Sequence, residues 1–296
     1  MNLLRSLVFV PGNRANMLER ALDFKADVIM VDLEDSVPPG EKLAARETAQ
    51  EWVPKLARSA SQSGRRIMVR VNSLDTGLTR DELAALICPD LSGISIGKSE
   101  TVWDLRDVDQ LITGLEAAAG LPSGQIKMIP WIENARAVLT ALELATCSPR
   151  VEAIAFGAED YTDAMGVQRT DTGEELEFAR ATVAVAARAA GICSLDTPYV
   201  QFRDPEGFRR DIQISRRLGF TGRFAIHPSQ IEIINESFGP TSEEVAYANR
   251  VVEAWAEAEA QGRGSLSLDG RMIDVPVVKR ARNLLALAQR IQRAES

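Results

Sequence analysis

Histidine occurs once and cysteine three times in the 296 residues. With His227 alone, a multi-histidine metal cluster or a triad drawn from several histidines is excluded. Cys88, Cys147 and Cys193 are scattered, odd in number and lack CxxC spacing, so they read as reduced thiols of a cytosolic protein. Positive charge is outnumbered, 34 Lys and Arg against 42 Asp and Glu: the net charge of -8 and pI near 5.0 argue against nucleic acid as a partner. No run approaches the roughly 20 apolar residues that cross a bilayer. The opening MNLLRSLVFVPG has only a strand's length of apolar residues and no A-x-A cleavage pattern. A soluble cytoplasmic protein without a membrane partner is expected.

What is present is a large apolar fraction, 45%, divided into short runs. Eight recur: SLVFVPG (6–12), DVIMVDLED (27–35), RIMVRVN (66–72), GISIGKSE (93–100), QIKMIPWIE (125–133), EAIAFGAED (152–160), the weaker ICSLDTPYV (192–200) and RFAIHPSQ (223–230). Between them, 13–24, 41–60, 102–119, 135–145 and 174–190 mix apolar, Ala and charged residues at helical spacing. Strands without polar alternation, separated by helices, indicate a parallel sheet covered on both faces. The count and length predict an α/β fold, a (β/α)8 TIM barrel over residues 1–240. A doubly wound open sheet is the alternative, weakened because no G-x-G-x-x-G follows the first run. Residues 241–296 read as a C-terminal extension of helix, hairpin turning at Asp269-Gly270, and final helix. The last helix has an apolar stripe through Val278, Ala281, Leu285, Ala288 and Ile291, expected to pack on the barrel or on a neighbouring subunit.

Polar residues collect where the runs end: Asn13 and Arg14; Asp32, Glu34 and Asp35; Arg70 and Asn72; Lys98 and Glu100; Glu133; Glu159 and Asp160; Asp196; His227. In a barrel these ends face one mouth, where such folds build their sites; the alternative is simple solvation of strand ends. Glu133 and Asp160 end successive runs and would stand side by side on neighbouring strands, as hard oxygen ligands for Mg²⁺. Such an ion can stabilise an enolate, which points to carbon–carbon bond chemistry. Arg70 is unusual because MVRVN places a guanidinium within an apolar strand, where it requires an anionic partner.

These stretches, in particular RSLVFVPGNRANML, DVIMVDLEDSVPPGEKLAAR, VRVN, GKSE, IPWIENARAV, AFGAEDYTDAMG, FAIHPSQI and DGRMIDVPVVKRA, resemble the citrate lyase β-subunit-like group of the HpcH/HpaI aldolase superfamily. That group includes malyl-CoA and citramalyl-CoA lyases, and the resemblance runs over nearly the whole chain. It implies a (β/α)8 barrel in which Glu133 and Asp160 ligate Mg²⁺, with Mn²⁺ as the other candidate ion. It implies that Arg70 grips the substrate's carboxylate or keto oxygen, and that a CoA thioester enters at the same mouth with a keto acid as its partner. It further implies that Asp274, in RMIDVP, does acid/base work at the acetyl-CoA methyl from a segment reaching an adjoining subunit; a solvated hairpin end is the other reading. Arg14, Glu34, Asp35 and Lys98 are expected around the substrate. Lys42 and Arg46 are candidate contacts for CoA phosphates, or else a solvated helix face. A homotrimer or hexamer is expected.

The chain departs from the family pattern at Ile96-Gly97-Lys98, where Leu-Pro-Lys is common, at Asn134 to Val138, and at Arg223, where Lys is common. The expected reaction cleaves or forms a 3-hydroxyacyl-CoA such as malyl-, citramalyl- or citryl-CoA. A malate-synthase-like or thioesterase activity, or a subunit active only within a complex, are the alternatives. One methyl in a pocket is a difference of only ~1–3 kcal/mol, so sequence does not choose the acyl group.

Overall fold

The computed structural model describes residues 3–60 and 64–295. The outermost residues of the two expected domains, 1–2 and 296, therefore lie outside the described residues. Eight strands form a closed parallel barrel: β1 (Ser6–Pro11), β2 (Val28–Asp32), β3 (Arg66–Val71), β4 (Gly93–Ile96), β5 (Lys127–Ile132), β6 (Ala153–Phe156), β7 (Cys193–Asp196) and β8 (Gly222–Ala225). Each strand pairs with the next, and β8 closes on β1. The connecting helices are α1 (Ala15–Ala21), α2 (Lys42–Ala60), α3 (Thr79–Leu86), α4 (Val102–Ala118), α5 (Ala135–Leu139), α6 (Ala141–Thr146), α7 (Ala158–Met165), α8 (Glu177–Ala190) and α9 (Pro205–Leu218), with α10 (Ser229–Phe238) after β8. The TIM barrel read from eight apolar runs is the fold of this chain.

Two expected helices differ in detail. The stretch 135–145 is split at Thr140, whose φ of -108° leaves the helical region while its hydroxyl donates to the Arg136 carbonyl. The stretch 174–190 opens with a 3-10 turn, Glu174–Leu176, before α8 begins.

Strand residues alternate between the barrel interior and the surrounding helices. Leu7, Met30, Met68, Trp131, Ala155, Leu195 and Phe224 share one packed interior cluster, with Phe9 against it. This parity corrects part of the strand-end expectation. Asp196 and Arg223 alternate with Leu195 and Phe224, so they face outward into the helix layer. There Arg180 of α8 pairs with Asp196 and Asp211, and Arg223 pairs with Asp211 of α9. Arg223 Nε also donates to the Thr197 carbonyl at 2.8 Å. Both Asp196 and Arg223 are fully buried.

Contacts divide the chain into a barrel unit, Leu4–Ile234, and a second compact unit that includes everything from Asn235 onward. The division falls inside α10, a little before the 240/241 break expected from sequence. The second unit contains α11 (Ser242–Ala260), a hairpin of β9 (Leu266–Leu268) and β10 (Arg271–Ile273), and α12 (Val275–Glu295). Asp269 and Gly270 both have positive φ, 52° and 73°, as a two-residue hairpin turn requires. Val278 and Ala281 of the expected stripe are buried against Val251 and Trp255 of α11. Among the described residues, no helix is long and apolar enough to cross a membrane.

Candidate active site at the barrel mouth

Counting by two from the interior cluster carries Met30 to Asp32, Met68 to Arg70 and Trp131 to Glu133. These three charges therefore share the inward parity and gather above an aromatic floor. Phe9 and Phe224 stack at 4.9 Å, and Trp131 lies 4.5 Å from Phe224. The Arg70 guanidinium rests 4.4 Å above the Phe9 ring, a favourable face for a cation removed from water.

A fork of carboxylates completes the arginine's surroundings. Arg70 Nε and Nη2 donate to the two oxygens of Asp32 at 2.7 and 2.6 Å, and Nη1 donates to Asp35 at 2.9 Å. Glu34 Oε2 lies 3.4 Å from Nη1. Asp32 also accepts the backbone N–H groups of Glu34 and Ser36, so the β2 loop winds around it. Burial pushes the Asp32 carboxyl up, but Arg70 and these donors override it and hold it below the ordinary range. Burial likewise works against the Arg70 charge, and Asp32, Glu34 and Asp35 more than restore it. Each partner therefore favours the charged form of the other.

The neighbouring acids behave differently. Glu133, buried at the end of β5, is pushed up to about 8 by burial and then by Asp160. Glu34, also buried, is pushed up to about 7 by burial, with Arg70 countering and Asp35 adding to the rise. Its Oε1 accepts no hydrogen bond, although Lys98 Nζ stands 3.7 Å away. Asp160 does not end the sixth strand as expected; it sits in the first turn of α7, half-buried and raised by burial and then by Asp35. Exposed Glu159 points instead to Arg169 at 3.2 Å.

Two glycines make room for this convergence. A Cβ on Gly157 would meet Glu133 Cγ at 2.6 Å and Oε1 at 2.7 Å, so any side chain there displaces the carboxylate. A Cβ on Gly97 would lie 3.1 Å from Glu34 Oε1 and 3.2 Å from Glu133 Oε2, which shows how closely the two acids approach one point. Lys98 follows with φ of 54°, a left-handed conformation that costs a non-glycine residue about 1–3 kcal/mol. The conformation aims its backbone N–H at Glu133 Oε2, 2.8 Å away. Burial lowers the Lys98 ammonium's pKa, but Glu34, Asp35, Asp160 and Glu133 more than compensate and keep it charged. A cavity of about 530 Å³ opens beside this group and is lined by Gly97, Lys98, Glu133, Asn134 and Asp160.

Hard carboxylate oxygens, the raised Glu133 and Asp160 and an unbonded Glu34 oxygen suit a small dication. Among the described residues no set of three His, Cys, Asp or Glu side chains stands ready to bind a metal. Two carboxylates completed by water and substrate is the usual mode for Mg²⁺.

The remaining candidates lie elsewhere. Arg14 is exposed at the start of α1. Lys42 turns inward, donating to the Leu33 and Glu34 carbonyls at 2.8 and 2.7 Å, so its ammonium braces the acidic loop rather than facing solvent. Arg46 pairs with Asp81 at 3.3 Å. In the C-terminal unit, Asp274 caps α12 by accepting the Val277 N–H at 3.2 Å. Sequence reasoning missed Glu82, which is buried and grips Asn72 through its backbone and side-chain nitrogens. Asn72 in turn holds the Leu33 carbonyl at 2.8 Å. The aromatic floor and the role of Gly157 were also missed; Phe9's inward parity and a glycine directly after an apolar run were the available signals.

The family model for HpcH/HpaI aldolase/citrate lyase matches residues 5–228. Citrate lyase subunit beta of Leuconostoc mesenteroides subsp. cremoris is 40% identical over 286 residues, covering 97% of this chain and 93% of that protein. The L-malyl-CoA/beta-methylmalyl-CoA lyase of Rhodobacter capsulatus is 32% identical over 307 residues, covering 97% and 95%. Among solved structures, CitE from Mycobacterium tuberculosis in complex with magnesium, acetoacetate and coenzyme A aligns with a TM-score of 0.76 at 26% identity, covering 97% of this chain and 98% of that one. The chain belongs to the HpcH/HpaI aldolase/citrate lyase family and is a carbon–carbon lyase.

Proposed function

We propose that this enzyme cleaves, or in reverse forms, a 3-hydroxyacyl-CoA thioester of the malyl-, citramalyl- or citryl-CoA type, with Mg²⁺ as its ion. The observation that carries the reading is the inward-facing Arg70, held by Asp32 beside the raised pair Glu133 and Asp160 at an open cavity. The relatives named citrate lyase and malyl-CoA lyase, and the magnesium and coenzyme A in the CitE structure, support it.

Cleavage removes the proton of the 3-hydroxyl and breaks the bond between Cα and Cβ. The bonding pair passes to the thioester as an enolate, and a keto acid is released. Proton transfer to the enolate carbon then gives the acyl-CoA. Glu133 and Asp160 are the proposed metal ligands; when bound, Mg²⁺ would supply Lewis-acid stabilisation of negative charge developing on oxygen. Arg70 keeps N–H groups beyond those given to Asp32 and Asp35, and these would neutralise the keto acid's carboxylate and polarise its carbonyl. Asp32 fixes the plane of the guanidinium, so the fork meets substrate without reorganising. Lys98, poised by its strained backbone, adds a second cation beside Glu34 and Asp35. Asp274, on a segment expected to reach an adjoining subunit's site, is proposed as the acid for the enolate carbon. Of the two CoA-phosphate candidates, Arg46 remains proposed and Lys42 is turned to the loop carbonyls, while Arg14 stays a proposed substrate contact.

Incubating the protein with Mg²⁺ and malyl-, citramalyl- and citryl-CoA, with products resolved by mass, tests the reading. An acyl-CoA plus a keto acid is expected; free CoA plus a hydroxy acid would establish a thioesterase instead. Because relatives are named as subunits, activity that appears only on adding partner chains would assign the protein to a complex.

A further inference from the structure

Asn72 lies two residues beyond Arg70, is 2% exposed, and is held from the helix layer at three atoms. Its N–H donates to Glu82 Oε2 at 2.8 Å, and its amide Nδ2 donates to Glu82 Oε1. Its carbonyl accepts the Thr79 hydroxyl at 2.9 Å. Thr79 and Glu82 both belong to α3 and are each 2% exposed. Nδ2 also donates to the Leu33 carbonyl, 2.8 Å away, so one amide joins α3 to the loop that follows β2. Lys42 of α2 reaches the same carbonyl at 2.8 Å and that of Glu34 at 2.7 Å. The Leu33 N–H donates to the Arg70 carbonyl at 2.9 Å. The stretch tied down in this way carries Asp32, Glu34 and Asp35, the carboxylates around the Arg70 guanidinium.

Neither Asn72 nor Glu82 is among the residues that line the cavity beside Glu133 and Asp160. Burial pushes the Glu82 carboxyl up, against its bonds to Asn72 and the charges of Lys42 and Arg46. A buried carboxylate is a costly fastener, and an apolar side chain of similar size would cover a loop as well. What the carboxylate supplies is two acceptors at fixed spacing. They set the Asn72 backbone and amide together and leave the amide's other hydrogen aimed at Leu33. We infer that Asn72 and Glu82 are positioning residues for Arg70: they fix the β2 loop against β3, so that its carboxylates hold the guanidinium in one orientation before substrate arrives. This rests on the role given to Arg70 in the thioester-lyase reading above. Misplacing such a group by about 1 Å can cost about 10²-fold in rate, even when the altered residue is remote from the reacting atoms.

Asn72→Ser in the full chain removes the amide while leaving the N–H for Glu82 and the carbonyl for Thr79. It should lower kcat by about 10²-fold and change the thioester KM by less than about threefold. The Arg70 Nε–H resonance, identified in the proton–nitrogen correlation spectrum by its loss in Arg70→Lys, should shift or broaden in the substrate-free variant, because its acceptor Asp32 is no longer held still. Glu82→Gln, which turns one of the two accepting oxygens into a donor, should show both effects and serves if Asn72→Ser does not fold. A merely structural brace predicts a lowered melting temperature with kcat and the resonance unchanged, and that result overturns the inference. So does either change without the other: a fall in kcat alone would bypass Arg70, and a moved resonance alone would mean that turnover does not need its placement. If the wild type releases no acyl-CoA and keto acid from malyl-, citramalyl- or citryl-CoA, the thioester-lyase reading fails on its own. The resonance, read without substrate, then still decides whether Asn72 and Glu82 set the guanidinium.

Discussion

Two buried arginine–carboxylate clusters occupy the same barrel on opposite faces of one sheet. Arg70 faces inward with Asp32 and Asp35; Arg223 faces outward with Asp211, beside Arg180 and Asp196. Both contain guanidinium groups deprived of water and held by aspartates. What separates them is the surroundings. The outer cluster balances two arginines against two aspartates, sealed beneath α8 and α9. The inner one sets Arg70 and Lys98 among Asp32, Glu34, Asp35, Glu133 and Asp160, with Glu34 Oε1 unbonded and a cavity alongside. A neutral, closed cluster holds the fold, whereas an acid-rich, open one is suited to a cation and a substrate.

The sharpest way to break the comparison is to make one substitution in each cluster. Arg70→Lys keeps a charge but loses the planar fork, so it should lower kcat/KM by about 10³-fold while the thermal midpoint moves little. Steady-state acyl-CoA release checks this, and wild-type turnover by the variant would remove Arg70 from the reaction. Arg223→Met should do the reverse. Asp211 is left with Arg180 alone and the buried Thr197 carbonyl loses its donor, which costs about 1–3 kcal/mol by urea unfolding, while kcat of the folded fraction stays within about twofold. A large kcat defect in a fully folded Arg223 variant would erase the distinction.

Much of this was legible beforehand, for a specific reason. The eight apolar runs gave the barrel because a parallel sheet buried on both faces leaves strands with no polar interruption. Glu133 and Arg70 were found because a charge at the end of an apolar strand, or within one, is conspicuous. Asp196 was misplaced because strand ends were read without parity; its alternation with Leu195, like that of Arg223 with Phe224, turns it outward. The aromatic floor and the brace of Glu82 on Asn72 join residues far apart in the chain. No local pattern announces such contacts. Lys42 was a surface candidate by helical position, yet its long stem lets the ammonium reach back to two carbonyls of the loop before it.

Acidity separates the clusters further. Glu34 and Glu133 rise from an ordinary 4.5 to about 7 and about 8. Across that range the folded, metal-free protein keeps protons that the unfolded chain has released, so its stability falls as pH rises from about 5 to about 8. Saturating Mg²⁺ binds the ionised form and should raise the melting temperature more at pH 8 than at pH 6. A Mg²⁺ effect independent of pH would mean that these carboxyls are not what the ion meets. The Arg223 cluster predicts no such dependence, so Arg223→Met should leave the Mg²⁺ increment unchanged.

The smallest change with a readable effect is a single methyl group. Gly157 has φ of -105°, which any residue adopts, so Gly157→Ala introduces no backbone strain and acts only through space. The new Cβ would fall 2.6 Å from Glu133 Cγ, and the carboxylate must move because Gly157 is itself fixed by its N–H to the Ile132 carbonyl. Overpacking of this kind costs about 1–3 kcal/mol. Displacing one of two proposed metal ligands should weaken Mg²⁺ by about tenfold in calorimetry and raise the Mg²⁺ needed for half-maximal activity in proportion. Gly157→Ala with ordinary Mg²⁺ affinity and lowered stability would show that Glu133 yields without loss, and would place the ion elsewhere at the mouth.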